Sequence, residues 1–120
     1  MQYIDLSYWN TESLEDCSSM FIECPCLKSV SLSDWNTHKL RDCHSMFVGC
    51  KQMTSISLRN WDPSSITSMH NMFFSCKSIQ KLDINSWQGK VNPEADMHRM
   101  FDFYDTPNTE MVPKWYKECL

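Results

Sequence analysis

Residues 30–50 read VSLSDWNTHKLRDCHSMFVGC and residues 56–76 read ISLRNWDPSSITSMHNMFFSC. Laid over one another they agree at Leu32/Leu58, Trp35/Trp61, Met46/Met72, Phe47/Phe73 and Cys50/Cys76, each pair 26 residues apart. The register extends outward in both directions. Trp9, Trp35, Trp61 and Trp87 are each 26 apart, and Trp115 follows 28 later, with the two extra residues inside Gln88-Gly89-Lys90-Val91-Asn92-Pro93. Met20-Phe21, Met46-Phe47, Met72-Phe73 and Met100-Phe101 absorb the same insertion. Cys24, Cys50 and Cys76 keep a fixed offset, and Tyr104 takes their place in the fourth unit. So many columns at one period identify a tandem-repeat chain. The units run over about 3–28, 29–54, 55–80 and 81–108, and a degenerate C-terminal cap occupies 109–120.

Within a unit, Ile4-Asp5-Leu6, Val30-Ser31-Leu32, Ile56-Ser57-Leu58 and Leu82-Asp83-Ile84 alternate apolar and polar residues, which predicts a short strand with one buried face. From Leu14 the apolar residues fall at Cys17, Met20, Phe21 and Cys24, a spacing that predicts a short helix. Asn10, Asn36, Asp62-Pro63 and Asn92-Pro93 read as the caps that start those helices. One strand and one short helix cannot bury an apolar face alone, whereas stacked coils bury a continuous core. The expected fold is therefore an α/β repeat solenoid, leucine-rich-repeat-like, with one parallel strand and one short helix per coil.

Composition narrows the function classes. A chain of 120 residues holds one domain. Its formal net charge is −4 and its eleven Lys and Arg are scattered, so no basic stripe is present to follow a phosphate backbone, and nucleic acid is not an expected partner. No stretch approaches the length of a membrane span, and Met1 to Leu6 lacks the pattern of an export signal. A cytoplasmic or intracellular location with reduced thiols is expected for the seven cysteines.

Leu32-Ser33-Asp34-Trp35-Asn36-Thr37, followed by Cys43-His44-Ser45-Met46-Phe47-Val48-Gly49-Cys50, resembles the 26-residue repeat of BspA-like bacterial surface lipoproteins. That repeat reads roughly L-x-L-S-x-W-D-T-S-x-V-x-x-M-x-x-M-F-x-x-C-x-x-L, and the resemblance covers about residues 3–104. It implies a leucine-rich-repeat-like solenoid that presents surfaces to other proteins, with no catalytic residues to carry over. Similar repeats occur in protists and large DNA viruses, so the resemblance adds a virion or cell-surface location to the intracellular one. This chain lacks the lipobox, the signal peptide and the long arrays of the surface adhesins.

Individual residues favour the same class. Cys24-Pro25-Cys26 has no second knuckle to complete a tetrahedral zinc site, and Cys24, Cys50 and Cys76 read as small apolar residues of an inward column. His44, His70 and His98 form a further column that reads as solvated, with no metal expected. There is no G-x-S-x-G, phosphate loop or H-E-x-x-H, so neither catalysis nor a cofactor is expected. The strand face pointing away from the core remains: Tyr3, Asp5, Ser31, Ser57, Arg59, Lys81, Asp83 and Asn85 are the candidate partner-binding residues. A second apolar column, Ile22, Val48 and Phe74, is expected to be partly exposed. Tyr3, Ile4 and Leu6 form a candidate self-association edge. An unpaired first strand above Trp9, Met20 and Phe21 is expected to seat a second copy or another protein, a two-fold homodimer being the commonest closed arrangement. The expected function is non-catalytic protein–protein interaction with a protein of unknown identity, the alternatives being a structural component of a virion or surface layer, or an adhesion-type fragment.

Overall fold

The computed structural model describes residues 2–102 and 112–119. Four short strands, β1 (Tyr3–Asp5), β2 (Ser29–Ser31), β3 (Ser55–Ser57) and β4 (Lys81–Leu82), form one parallel sheet in chain order. The register equals the sequence period: Ile4 pairs with Val30, Val30 with Ile56, and Ile56 with Leu82. Alternation along each strand turns Val30, Ile56 and Leu82 into the core, while Ile4 on the outer strand stays half-buried.

The arc opposite the sheet corrects one expectation, because residues 11–24 and their counterparts among the described residues form a ladder of turns and no helix. The side chains of Asn10, Asn36, Asp62 and Asn92 do accept backbone N–H groups, at 3.2, 3.2, 3.0 and 3.0 Å. Each opens a single β-turn, closed for example by Leu14 N–H donating to the Thr11 carbonyl at 3.0 Å. Asp16, Asp42 and Asp96 repeat the device one turn later, on the N–H of Ser18, His44 and His98.

Beyond that point the amides alternate. Met20 and Ile22 close local turns, whereas Cys17, Ser19, Phe21 and Glu23 donate to the carbonyls of Asp42, His44, Met46 and Val48 in the next coil, at 3.0, 3.0, 2.9 and 2.7 Å. A helix would keep all these bonds inside one unit, and the chain instead shares half of them with its neighbour. Left-handed residues make this possible: Ser19, Ser45, Asn71 and Arg99 form one column with φ of 58, 57, 57 and 57°. Glu23, Gly49 and Ser75 form another with φ of 52, 75 and 65°. Each such residue would interrupt an α-helix.

Like side chains stack on like through the core. Trp9, Trp35, Trp61, Trp87 and Trp115 form a ring column with successive centroids 6.3, 5.8, 6.2 and 5.9 Å apart. Phe21, Phe47, Phe73 and Phe101 form a second at 5.6 Å throughout. The indole N–H of Trp35 reaches the Leu6 carbonyl and that of Trp61 the Leu32 carbonyl, both at 2.8 Å. Trp87 sits in a 3-10 turn, Asn85–Trp87, and its buried indole nitrogen has no partner among the described residues. A third column was not anticipated: the Thr37 hydroxyl donates to the Asp62 carbonyl and accepts the Asp62 N–H, both at 2.8 Å.

The short helix α1 (Lys114–Cys119) closes the distal end. Trp115 extends the indole column and donates to the Ile84 carbonyl at 2.9 Å, and Tyr116 packs edge-on to Phe101 with centroids 4.8 Å apart. Of the degenerate C-terminal cap expected over 109–120, residues 109–111 and Leu120 lie outside the described residues, as does Tyr104 of the fourth unit.

Candidate interaction surface

The sheet register fixes where the candidate residues stand. Tyr3, Ser29, Ser55 and Lys81 form one row across the strands, and Asp5, Ser31 and Ser57 form the next. Ser57, Arg59, Lys81 and Asp83 come together with Ser33 and Ser55 around a shallow depression of about 310 Å³. Inside it the hydroxyls are linked, Ser33 to Ser57 at 2.6 Å and Ser31 to Ser33 at 3.3 Å. Ser33 is buried, and its hydroxyl joins those of Ser31 and Ser57.

Tyr3 and Asp5 lie on the outer strand, away from the depression. Asp5 accepts both the N–H and the hydroxyl of Ser7, at 2.9 and 2.6 Å, and these bonds hold its carboxyl below the usual value. Asn85 is exposed on the 3-10 turn and does not line the depression.

The second surface is the open face of the first coil. The large apolar residues exposed among the described residues are Tyr3, Tyr8, Trp9, Met20 and Ile22, all within unit one. Trp9 is 46% exposed where Trp35 is 2%, and Met20 is 36% exposed where Met46 is 0%. Phe21 departs from expectation, being buried against Phe47. Of the proposed self-association edge, Tyr3 is exposed while Ile4 and Leu6 are half-buried. A groove of about 520 Å³ opens here between Trp9, Leu14, Met20 and Trp35, with Asp16 at its side. Tyr8 escaped the sequence reading, although its column offered a signal: Asp34 and Asn60 occupy that position in the next units with left-handed φ and a side-chain hydrogen bond between them.

The histidine column is more ordered than a solvated face requires. The rings of His44 and His70 stack 4.6 Å apart, with His44 Nδ1 2.6 Å from an Asp42 carboxylate oxygen and His70 Nδ1 2.9 Å from the Ser68 hydroxyl. Among the described residues no group of three or more His, Cys, Asp or Glu is placed to hold a metal ion. No helix among them is long and apolar enough to cross a membrane.

Burial separates the thiols. It pushes Cys17 up to about 12 and Cys50 up to about 11, and raises Cys43 and Cys76 as well. The thiols of Cys50 and Cys76 also donate to the Phe21 and Phe47 carbonyls at 3.0 Å. Cys26, by contrast, is exposed. Iodoacetamide applied to native protein at pH 8 is thus expected to label Cys26 and to spare Cys43 and Cys76 until denaturant is added, as peptide mass spectrometry would report. Labelling of Cys76 at the rate of Cys26 would contradict the inward column.

A family model described as Mycoplasma protein of unknown function, DUF285, matches residues 1–115, and the chain belongs to that family. No curated protein and no solved structure matches it.

Proposed function

We propose, with membership of the DUF285 family as the premise, that the chain is a non-catalytic protein-interaction module: a leucine-rich-repeat-like solenoid that offers its strand face to another protein. The observation that carries this reading is the depression where the Arg59 guanidinium and Lys81 ammonium stand beside the Asp83 carboxylate and a connected set of serine hydroxyls. Charged groups of both signs on one sheet face suit recognition of another protein through hydrogen bonds and complementary charge. The resemblance of the repeat to BspA-like surface repeats supports the same class.

The test is a comparison of variants. Protein immobilised from the wild-type sequence and from the double substitution Arg59→Glu/Lys81→Glu should differ at least tenfold in what each retains from its native source, with equal melting temperatures. Equal retention would remove the strand face from consideration. A second reading, a structural component of a virion or surface layer, draws on the apolar residues concentrated on the first coil. It expects assemblies that grow with concentration when no other protein is present.

A further inference from the structure

At the start of the turn ladder, Lys39 and Arg41 of the second coil line a pocket of about 510 Å³ together with Glu15, Ser64 and Asn92 of the other three. Neither cation belongs to a repeating column. The equivalent positions hold Ser13 and Glu15 in the first unit and Ser65 and Thr67 in the third, so both positive charges fall at one point of the wall. Both side chains are exposed, so neither serves the core. Ion pairing does not account for them either. The ion pairs among the described residues join His44 to Asp42 and His70 to Asp96, and Glu15, though it lines the same pocket, lies beyond ion-pair distance of either cation.

The backbone beneath these side chains is tied to the coils on both sides. Arg41 donates its N–H to the Glu15 carbonyl at 2.9 Å, and the Arg41 carbonyl accepts the N–H groups of Thr67 and Ser68 at 2.8 and 3.2 Å. The His38 carbonyl accepts the Ser65 hydroxyl at 2.6 Å, and the His38 ring is held through Nδ1 by the Asn36 side chain. Asn92 Oδ1 accepts the Glu94 N–H at 3.0 Å, which leaves the Asn92 amide NH2 as a donor with no partner among the described residues. An ammonium, a guanidinium and an amide thus meet on a wall whose backbone is fixed before any ligand arrives.

The lining decides the class of ligand. Two cations and an amide donor suit the oxygens of a phosphate monoester, with Arg41 able to offer paired N–H groups. A single cluster of this kind holds one phosphate, whereas a nucleic-acid strand needs cations repeated along its path. No hydrocarbon side chain lines the pocket, and its one ring, His38, is tied to Asn36, so neither an acyl chain nor a nucleobase finds a seat. The Glu15 carboxylate is an acceptor, and it is answered by a ligand whose remaining groups are hydroxyls.

We propose that this pocket binds a small phosphorylated sugar, its phosphate on Lys39, Arg41 and Asn92 and its hydroxyls donating to Glu15. The inference is independent of the strand face, which is built from other residues.

The probes are glucose 6-phosphate, glucose and inorganic phosphate, each added to the isotope-labelled full chain while its amide resonances are followed by NMR. Glucose 6-phosphate is expected to move the amides of residues 38–41, 64, 65 and 92, to bind about tenfold more tightly than glucose, and to weaken as salt rises. It should also bind more tightly than inorganic phosphate, and Glu15→Ala should erase that margin. Lys39→Gln/Arg41→Gln should weaken glucose 6-phosphate about tenfold and melt with the parent, as substitutions at exposed positions do. Lys28→Gln/Lys51→Gln, which removes the same charge from other exposed positions, should leave its affinity within twofold. Absence of binding, a margin over inorganic phosphate that survives Glu15→Ala, or equal losses from the two double variants would overturn the inference. So would resonance shifts centred on Arg59 and Lys81, because the anion would then sit on the strand face.

Discussion

Trp61→Ala is expected to lower stability by about 3–5 kcal/mol, as truncation of a large buried aromatic does. Trp61 lies in the middle of the indole column, 3% exposed, with Trp35 at 5.8 Å on one side and Trp87 at 6.2 Å on the other. Its loss opens a cavity that neither neighbouring coil can close, since each is held in register by the strand pairs and by the turn ladder. It also strands the Leu32 carbonyl, which accepts the indole N–H at 2.8 Å. A fall of roughly 10–20 °C in melting temperature follows for a domain of this size. Trp9→Ala, at the half-covered end of the same column, should cost clearly less. Were Trp61→Ala to melt with the parent, the column would not be core.

The second large effect is expected from Thr37→Val, a change that keeps shape and removes one oxygen. The Thr37 hydroxyl is buried and serves both backbone groups of Asp62, donating to its carbonyl and accepting its N–H. A methyl group in its place leaves two polar groups facing hydrocarbon, for about 1–3 kcal/mol. Thr11→Val should cost less, because the Thr11 hydroxyl lies 3.4 Å from the Asn36 carbonyl and near the open face. Urea melts of the two variants would decide the matter. An unchanged midpoint for Thr37→Val would mean that the Asp62 backbone finds other partners.

The strands, their parallel order and their register were legible because a column of Ile4, Val30, Ile56 and Leu82 at one spacing leaves a parallel sheet little freedom. The caps were legible as chemistry and misread as structure. Asn10 or Asp62 accepts the N–H two residues on whether a helix or a lone turn follows, so the same residue type announces both. Spacing misled in a similar way, since Leu14, Cys17, Phe21 and Cys24 face inward from linked turns as they would from a helix. A better signal was present in Ser19, Ser45 and Asn71 with Gly49 nearby, small or turn-forming residues in columns that turn out left-handed.

At the candidate surfaces, the sequence named the residues without their grouping. Arg59, Lys81 and Asp83 converge through sheet register, which the period supplies. Lys39 and Arg41 went unnamed, since only the turns of the coils bring them together with Asn92.

The two residues added within 88–93 leave every column after them in place, for Met100 still follows Met72 and Trp115 still stacks on Trp87. Side chains in these columns meet their own kind one turn of chain away, so a genetic change that copies or deletes a whole unit hands each residue a neighbour it already fits. Loss of a single residue inside a coil would misalign every column at once. Such a chain is open to lengthening and shortening by recombination between its own repeats, and closed to small slips everywhere except in exposed segments like 88–90.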